Sequence, residues 1–493
     1  MSIECQLNEL LPELNEGDAA LSVTGVCQDS RQVKSGYLFI ARSGLQHRGA
    51  DYIEPAASSG AVAALADALE ITAEEAAGFS IPVIRVESLV SRIGEIASRF
   101  YGRPSADLLM IGITGTNGKT SCANFVATAL NTSGIRAAVI GTIGNGFPGE
   151  LKGATHTTPD AVSLQRVLAE LKQQGAEAIV MEVSSHAIDQ GRINGVEFDI
   201  AAFSNLSRDH LDYHGSMDAY GAAKSRLFTD FGITQHVINI DDSYGREIAQ
   251  RLDAGHQTLS CAEQNASADL VVLEQELSLS GMALKMKIGE QVVTVRNKLL
   301  GQFNVANVLL TAGILYQAGF SAQQVIEGLE SLTPVCGRME CIAEDGAPLI
   351  VVDYAHTPDA LEKALQAVRL HQPDKLWCVF GCGGDRDTGK RAEMAAAASE
   401  LADVAVVTSD NPRTEDPQTI VDMVAKGLLE GRQAHVEVDR RAAIEFAVNE
   451  AGARDIVLVA GKGHEDYQEI NGIRHPFSDQ QVVREAMTKR GRA

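Results

Sequence analysis

Between residues 108 and 239, short apolar runs alternate with stretches whose apolar residues recur every three or four positions. "LLMIGIT", "AAVIGTIG", "AEAIVMEVS", "FDIAAFSN" and "HVINI" read as strands, and helical patterns follow Thr120 and Pro159. Such alternation predicts a mostly parallel sheet covered by helices. From 268 to 298 the pattern changes to residue-by-residue alternation with short turns, which predicts antiparallel strands. Past "LTPVCGRME" the chain restarts. "PLIVVDYAH", "KLWCVFGC", "ADVAVVTSD" and "DIVLVAGKG" are apolar runs that each end in polar or glycine residues, with helical patterns between them. They predict a second doubly wound sheet, with its site at the strands' C-terminal ends. Ahead of both, "YLFIA" and "AVAAL" flank polar, Gly-containing loops, and "LVSRIGEIASRFYG" reads as a helix ending before Pro104. The expected fold is α/β in three domains, 1–88, 89–334 and 335–493. The middle one carries a parallel sheet and a small antiparallel one, and the last is Rossmann-like.

A chain of 493 residues is too long for one core, in keeping with that division. Lys plus Arg number 42 and Asp plus Glu 65, a net charge of −23. That balance argues against a nucleic-acid surface, and any anionic ligand needs a local basic pocket. The N-terminus has no basic start before an apolar stretch, so no signal peptide is expected, and no apolar run is long enough for a membrane span. The eight cysteines form no CxxC pair and read as reduced thiols in a cytoplasmic chain. Cys378 and Cys382 lie close together, and buried packing is the expected reason.

"LLMIGITGTNGKTSCANFVATAL" carries the strongest chemistry. A strand leads into a glycine loop, Thr114, Gly115, Thr116, Asn117 and Gly118, then Lys119, Thr120 and a helix. Loop N–H groups and a helix N-terminus favour phosphate, Lys119 can reach terminal phosphates, and the Thr120 hydroxyl can bind Mg²⁺. The general phosphate-loop pattern has Gly where this chain has Ile113. In "TSDNPRTEDP", Asp410, Asn411, Pro412 and Arg413 follow an apolar run. Asp and Asn can hold an ammonium group and an Arg fork a carboxylate, which together suit an amino acid. The same stretch also reads as a turn followed by a helix start.

"GTNGKT" resembles the loop of the Mur ligases and folylpolyglutamate synthetases, ATP-dependent amide-forming enzymes. "MEVSSHAIDQGRI", "FSNLSRDHLDYHGSMDAYGAAKSRLF", "GQFNVANVLLTAG", "CGRMECI", "VVDYAHTPDALEKAL", "GCGGDRDTGKR", "SDNPRTEDP" and "GKGHEDYQ" are similar, in order, to the diaminopimelate-adding branch of the Mur ligase family. The resemblance runs from about Ser30 to the chain's end. It implies an N-terminal uridine-nucleotide domain, a central ATPase domain and a C-terminal amino-acid domain. It also implies cytoplasmic peptidoglycan precursor synthesis by a monomer, with ATP, UDP-N-acetylmuramoyl-L-alanyl-D-glutamate and meso-diaminopimelate as substrates.

By the same resemblance Thr120 and Glu182 match metal positions, His210 matches the second metal position, and Lys224 matches a lysine carbamylated by CO₂ that helps hold a second Mg²⁺. On spacing alone Glu182 reads as a loop acid and Lys224 as a surface helix lysine. Asn304, Arg338 and Asp353 match ATP contacts, the last two contributed by the third domain. Gln28, Ser30, Leu45, Gln46 and His47 match uridine-side positions. His156, Thr157, Thr158, Ser184, Gln190 and Arg192 match positions around the peptide and pyrophosphate. His156 stands where some relatives have Asn, and Ser and Thr here are also ordinary helix caps. Arg386, Asp410, Asn411, Pro412, Arg413, Gly461 and Glu465 match acceptor contacts, with Arg413 on the far carboxylate that distinguishes diaminopimelate from lysine. The competing readings are the same ligation with L-lysine, a folylpolyglutamate synthetase-like ligase, and a slow ATP-hydrolysing switch.

Overall fold

The computed structural model describes residues 3–14, 19–44, 47–154, 156–252, 255–278, 281–344 and 346–491. Leu45 and Gln46 lie outside the described residues. The chain divides into two compact units, Met1–Ser260 with Gln317–Gly319, and Cys261–Tyr316 with Phe320–Ala493.

The first unit opens with a four-stranded parallel sheet, Gly25–Cys27, Tyr37–Ala41, Ala61–Asp67 and Val83–Val86, in sequence order. The helix Leu89–Phe100 closes one face, burying Leu89, Ile93, Ile96 and Ala97 against Leu38, Ile40 and Leu65. It stops well before Pro104, where a 3₁₀ turn begins. Six neighbouring strands of a second, larger sheet follow, in the spatial order Gln235–Asn239, Ile200–Phe203, Leu109–Thr114, Ala178–Glu182, Ala137–Ile140 and Asn145–Gly146. The last pairing is antiparallel, and the pairings among Leu109–Thr114 and its neighbours are parallel. The chain runs outward from Leu109–Thr114 on one side and later returns to its other side. The ends of Leu109–Thr114, Ala178–Glu182 and Ile200–Phe203 therefore converge at a topological switch point.

The second unit holds the antiparallel strands Leu270–Ser278, Gly281–Ile288 and Gln291–Asn297, as the alternating pattern predicts. Its six-stranded sheet has the order Glu340–Ile342, Leu349–Asp353, Ile456–Ala460, Leu376–Phe380, Val404–Val407 and Gln433–Val436, parallel except for the first pairing. Both faces of the inner strands Ile456–Ala460, Leu376–Phe380 and Val404–Val407 are buried, so these are apolar throughout rather than alternating, while the edge strand Gln433–Val436 is largely exposed. Cys378, Phe380, Leu458 and Val407 face the helices Pro358–Arg369, Gly389–Leu401 and Pro417–Ala425. Trp377, Val379, Val457 and Val406 face Arg440–Glu450 and Asp479–Arg490. Cys378 and Cys382 are both buried in the first of these cores, and every cysteine is free. Among the described residues no helix is long and apolar enough to cross a membrane.

Candidate active site

In the first unit the strand Leu109–Thr114 ends with Thr114 fully buried, and the helix Lys119–Thr132 starts five residues later. Gly115 and Gly118 have φ of +143° and +86°, conformations that side chains rarely adopt. A Cβ on Gly115 would collide with the Ser204 hydroxyl. The loop is braced by the segment after Ile200–Phe203. Asn205 takes the N–H of Thr116 on its carbonyl (2.8 Å) and that of Asn117 on its side-chain oxygen (2.9 Å). Ser204 Oγ and Asn205 Nδ2 both donate to the Asn117 carbonyl. Thr116 Oγ1 lies 3.2 Å from the Tyr220 hydroxyl and accepts the Ser207 N–H. Two of the loop N–H groups expected to cradle phosphate are thus committed to Asn205. Sequence reasoning assigned no role to Ser204, Asn205, Ser207 or Tyr220, although "FSNLS" directly precedes the His210 motif.

Lys119 Nζ donates to the carbonyls of Gly115 and Thr116, each at 2.8 Å. Lys224, on the helix Met217–Thr229, is fully buried and donates to the same Gly115 carbonyl at 2.8 Å. It also lies 4.4 Å above the Tyr220 ring. Burial, aided by the nearby Lys119 charge, drives its pKa well below the ordinary lysine value. The surface-lysine reading of Lys224 fails, because its helix face is turned into the switch point.

Glu182 is buried at the end of its strand, at 1% exposure. Its Oε2 accepts the Thr120 hydroxyl at 2.8 Å and the Thr142 hydroxyl at 3.0 Å, and its Oε1 accepts the Thr142 N–H at 2.8 Å. The loop-acid reading is therefore corrected: this carboxylate has been taken out of water and is held by three donors. Thr120 and Glu182 offer hard oxygens within hydrogen-bond distance of one another, a donor set that suits Mg²⁺. Thr158 donates to the Glu182 carbonyl at 2.8 Å, and Ser184 N–H donates back to Thr158. Arg192 donates to the Thr158 carbonyl and, through two nitrogens, to Gln190 Oε1. Thr157 accepts from Thr142. Five of the six predicted peptide-side residues thus form one network beside Glu182. His156 is exposed. Ser184 also caps the helix Ser185–Asp189, so cap and site coincide.

His210 has φ of +54° and packs edge-on against His186, ring centroids 4.8 Å apart. Partial enclosure and the Lys119 and Lys224 charges hold its imidazole below the usual value. His186 is pushed down to about 4 by burial and by His210 and His214. Towards the N-terminus a cavity of about 800 Å³ is lined by Gln28, Lys34, Tyr37, Arg42, Tyr101 and Arg166, among others. Of the uridine-side residues Gln28 reaches it. Ser30 begins a 3₁₀ turn capped by Asp29, and His47 packs near Tyr52. The basic residues Arg42 and Arg166 were missed, since single arginines in loop and helix carry no local signal.

In the second unit Asp353 ends its strand, Arg386, Asp410–Arg413, Gly461 and Glu465 follow the strands ending at Phe380, Val407 and Ala460, and Asn304 lies on the helix Phe303–Gln317. Asp353 accepts the N–H groups of Met339 and Ala355, each at 2.8 Å. Burial raises its pKa against the pull of Arg338, whose guanidinium lies 4.3 Å from the Tyr354 ring centroid. Asn304 is buried and bonds within its own helix region, to the Leu300 carbonyl and from Asn307.

Asp410, Asn411 and Pro412 are buried, and Arg413 is half-buried with φ of +51°. Asn411 Oδ1 accepts Lys462 Nζ (3.0 Å) and Glu469 N–H (2.9 Å), while its Nδ2 donates to Glu465 Oε2 (2.8 Å). Both lone pairs of the amide oxygen are taken. The expectation that Asn411 accepts an ammonium group is corrected on that ground. Arg413 Nη1 donates to the Gly384 carbonyl at 2.6 Å, and its backbone pairs with the hairpin Tyr467–Ile470 and Ile473–Pro476 through Glu469 and Asn471. A Cβ on Gly461, at φ of +115°, would strike Asp410 Oδ2. Arg386 is exposed and donates to the Asp385 carbonyl. Behind the loops Arg440 and Asp479, both fully buried, form a two-point ion pair. Asp416 caps the helix Pro417–Ala425, so the turn-and-helix reading of this stretch holds as well.

Three family descriptions match the chain: the Mur ligase family catalytic domain over residues 22–101, the Mur ligase middle domain over 113–315, and the Mur ligase glutamate ligase domain over 337–463. The chain is similar to the UDP-N-acetylmuramoyl-L-alanyl-D-glutamate–2,6-diaminopimelate ligase of Chromobacterium violaceum, 48% identical with 96% of each chain covered. The ligase of the same name from Ectopseudomonas mendocina is 46% identical with 98% of each covered. A solved structure bearing that name superposes with a TM-score of 0.73 at 38% identity, covering 99% of both chains. Folylpolyglutamate synthase of Mycobacterium tuberculosis shares the fold at 19% identity, with a TM-score of 0.63 over 76% of this chain and 93% of its own. On these matches, and on a phosphate loop, buried carboxylate and buried lysine gathered at one switch point, the chain belongs to the Mur ligase family.

Proposed function

We propose that this protein is an ATP-dependent ligase that joins meso-diaminopimelate to UDP-N-acetylmuramoyl-L-alanyl-D-glutamate. The observation that carries this reading is the 48% identity, over 96% of both chains, to a ligase named for that reaction. The substrate carboxylate attacks the γ-phosphorus of ATP and ADP leaves. The acceptor amine then attacks the acyl phosphate carbon, phosphate leaves, and the amine loses a proton. A carboxylate is a poor electrophile at neutral pH, so the activation is needed.

Lys119, at the helix N-terminus, would neutralise transferring phosphate. Thr120 and Glu182 would hold Mg²⁺, which supplies charge neutralisation on the phosphoryl group when bound. Lys224, with its depressed pKa, suits carbamylation: the neutral amine attacks the CO₂ carbon, an N–C bond forms, and a proton leaves to water. The resulting anion would help hold a second Mg²⁺, and His210 would serve that second metal position. The Thr158, Ser184, Gln190 and Arg192 network would orient the peptide, and the cavity at Gln28, Arg42 and Arg166 would take the anionic nucleotide end. Ser30, Leu45, Gln46, His47 and His156 remain candidates on resemblance. Asn304, Arg338 and Asp353 would serve ATP. Arg413 would meet the far carboxylate of diaminopimelate, with Asp410, Arg386, Gly461 and Glu465 around the rest. The segments 1–88, 89–334 and 335–493 would be the nucleotide-sugar, ATP and amino-acid domains of a cytoplasmic monomer.

The test is phosphate release from ATP with UDP-N-acetylmuramoyl-L-Ala-D-Glu, comparing meso-diaminopimelate, L-lysine and no acceptor. Release with diaminopimelate alone, with the matching mass gain on the nucleotide peptide, is expected. Equal release with lysine would overturn the acceptor assignment, and release without any acceptor would overturn the ligase reading.

A further inference from the structure

Lys462 is fully buried, sits in the "GKG" turn after Ile456–Ala460, and has no part in the roles assigned so far. Its ammonium donates to Asn411 Oδ1 at 3.0 Å and to Glu465 Oε2 at 2.9 Å. Asn411 Nδ2 donates to that same Glu465 oxygen at 2.8 Å, closing a three-membered ring of polar contacts. The amide orientation follows from chemistry. Lys462 and the Glu469 N–H can only donate and the Glu465 carboxylate accepts, so the Asn411 oxygen must face the lysine. Glu465 Oε1 has no hydrogen-bond partner among the described residues.

We propose that Lys462 is a positioning residue for the acceptor amino acid, fixing Asn411 as a donor and Glu465 as an acceptor. The assignment rests on the ligase reading above. With its oxygen committed, Asn411 can offer a ligand only its remaining N–H, which suits a carboxylate. Glu465 keeps Oε1 for an ammonium group, and Asp410, whose Oδ1 accepts the Asn411 N–H at 2.6 Å, is the other carboxylate bound to Asn411. Lys462 thereby sets the polarity in which a zwitterionic acceptor is read. A buried lysine without such partners is costly, so the three groups act as a unit.

The test uses the full chain and steady-state phosphate release, with each substrate varied in turn. K462M removes the ammonium but keeps the stem. It is expected to raise the KM for diaminopimelate at least tenfold, with the KM for ATP and kcat within about threefold. K462Q, which keeps a donor without the charge, is expected to fall between K462M and wild type, and serves if K462M does not fold. Losses spread equally over ATP, nucleotide peptide and acceptor would mark Lys462 as merely structural and overturn the proposal, as would an unchanged acceptor KM. Wild-type release indifferent to diaminopimelate would sink the ligase reading, and the role of Lys462 with it.

Discussion

Lys119 and Lys224, 105 residues apart in sequence by their numbers, donate to one carbonyl oxygen, that of Gly115, each at 2.8 Å. Two ammonium groups on one acceptor repel each other, and the buried one yields. Lys224 is the group whose pKa falls, from burial first and from Lys119 second. The glycine loop thus holds beside it a buried lysine that gives up its proton more readily than an ordinary one.

That shift has a consequence for stability. In the folded chain Lys224 releases its proton at lower pH than in the unfolded chain, where the ordinary value of about 10.4 applies. Between the two pKa values the unfolded state binds more protons, so stability rises with pH through that window. In CO₂-free buffer, wild type should gain stability relative to Lys224→Met as pH is raised towards 10, by at most about 1.4 kcal/mol per pH unit. Urea unfolding at pH 7, 8 and 9 measures the difference. Parallel curves would show that Lys224 is not the buried, proton-poor group described here.

Glu182→Gln should separate fold from chemistry. The glutamine oxygen can still accept from the Thr120 hydroxyl or from Thr142, so the loss of stability is expected to stay near 1–2 kcal/mol. The negative charge that would hold Mg²⁺ is gone, so kcat should fall by about 10²-fold or more. A magnesium titration of phosphate release checks this. Near-normal turnover at ordinary Mg²⁺ would remove Glu182 from the metal set.

Arg413→Lys tests acceptor choice. Lysine keeps the charge but loses the planar fork, and its shorter reach gives up the bond to the Gly384 carbonyl. Preference for meso-diaminopimelate over L-lysine, read as the ratio of kcat/KM values, should drop by about 10²-fold. An unchanged ratio would move the carboxylate-reading role to another residue.

The sheets were legible because a strand buried on both faces must be apolar along its whole length, and Leu376–Phe380 and Ile456–Ala460 are. The glycine loop was legible because its geometry is local. Lys224 was not: its helix pattern gives no sign that one face meets Gly115, so only the family resemblance marked it. Asn205, Thr142 and Lys462 escaped for the same reason. Each supports a predicted residue across tens of positions, as Asn205 does Asn117 at a separation of 88, and single-chain periodicity does not encode such pairs. Asn411 was identified but misjudged, because a side chain's free valence is set by neighbours such as Glu469 that lie 58 residues away.

Arg440 and Asp479 offer the sharpest test of what holds the acceptor loops. Arg440 bonds Asp479 at 2.8 and 2.7 Å and donates to the carbonyls of Ser409 (3.3 Å) and Ala460 (3.0 Å), the residues just before Asp410 and Gly461. Asp479→Ala leaves a guanidinium buried without its counter-ion, which costs about 3–5 kcal/mol. Replacing both residues, Arg440→Met with Asp479→Leu, removes the stranded charge but orphans the two carbonyls, so about 1–3 kcal/mol should still be lost. Urea unfolding of the three proteins should therefore rank wild type above the double variant, and the double variant above Asp479→Ala. The double variant should also raise the KM for diaminopimelate while sparing that for ATP, since Arg440 ties together the strand ends that carry the proposed acceptor cluster. If Asp479→Ala unfolds no sooner than the double variant, the pair is not the buried tether its geometry implies.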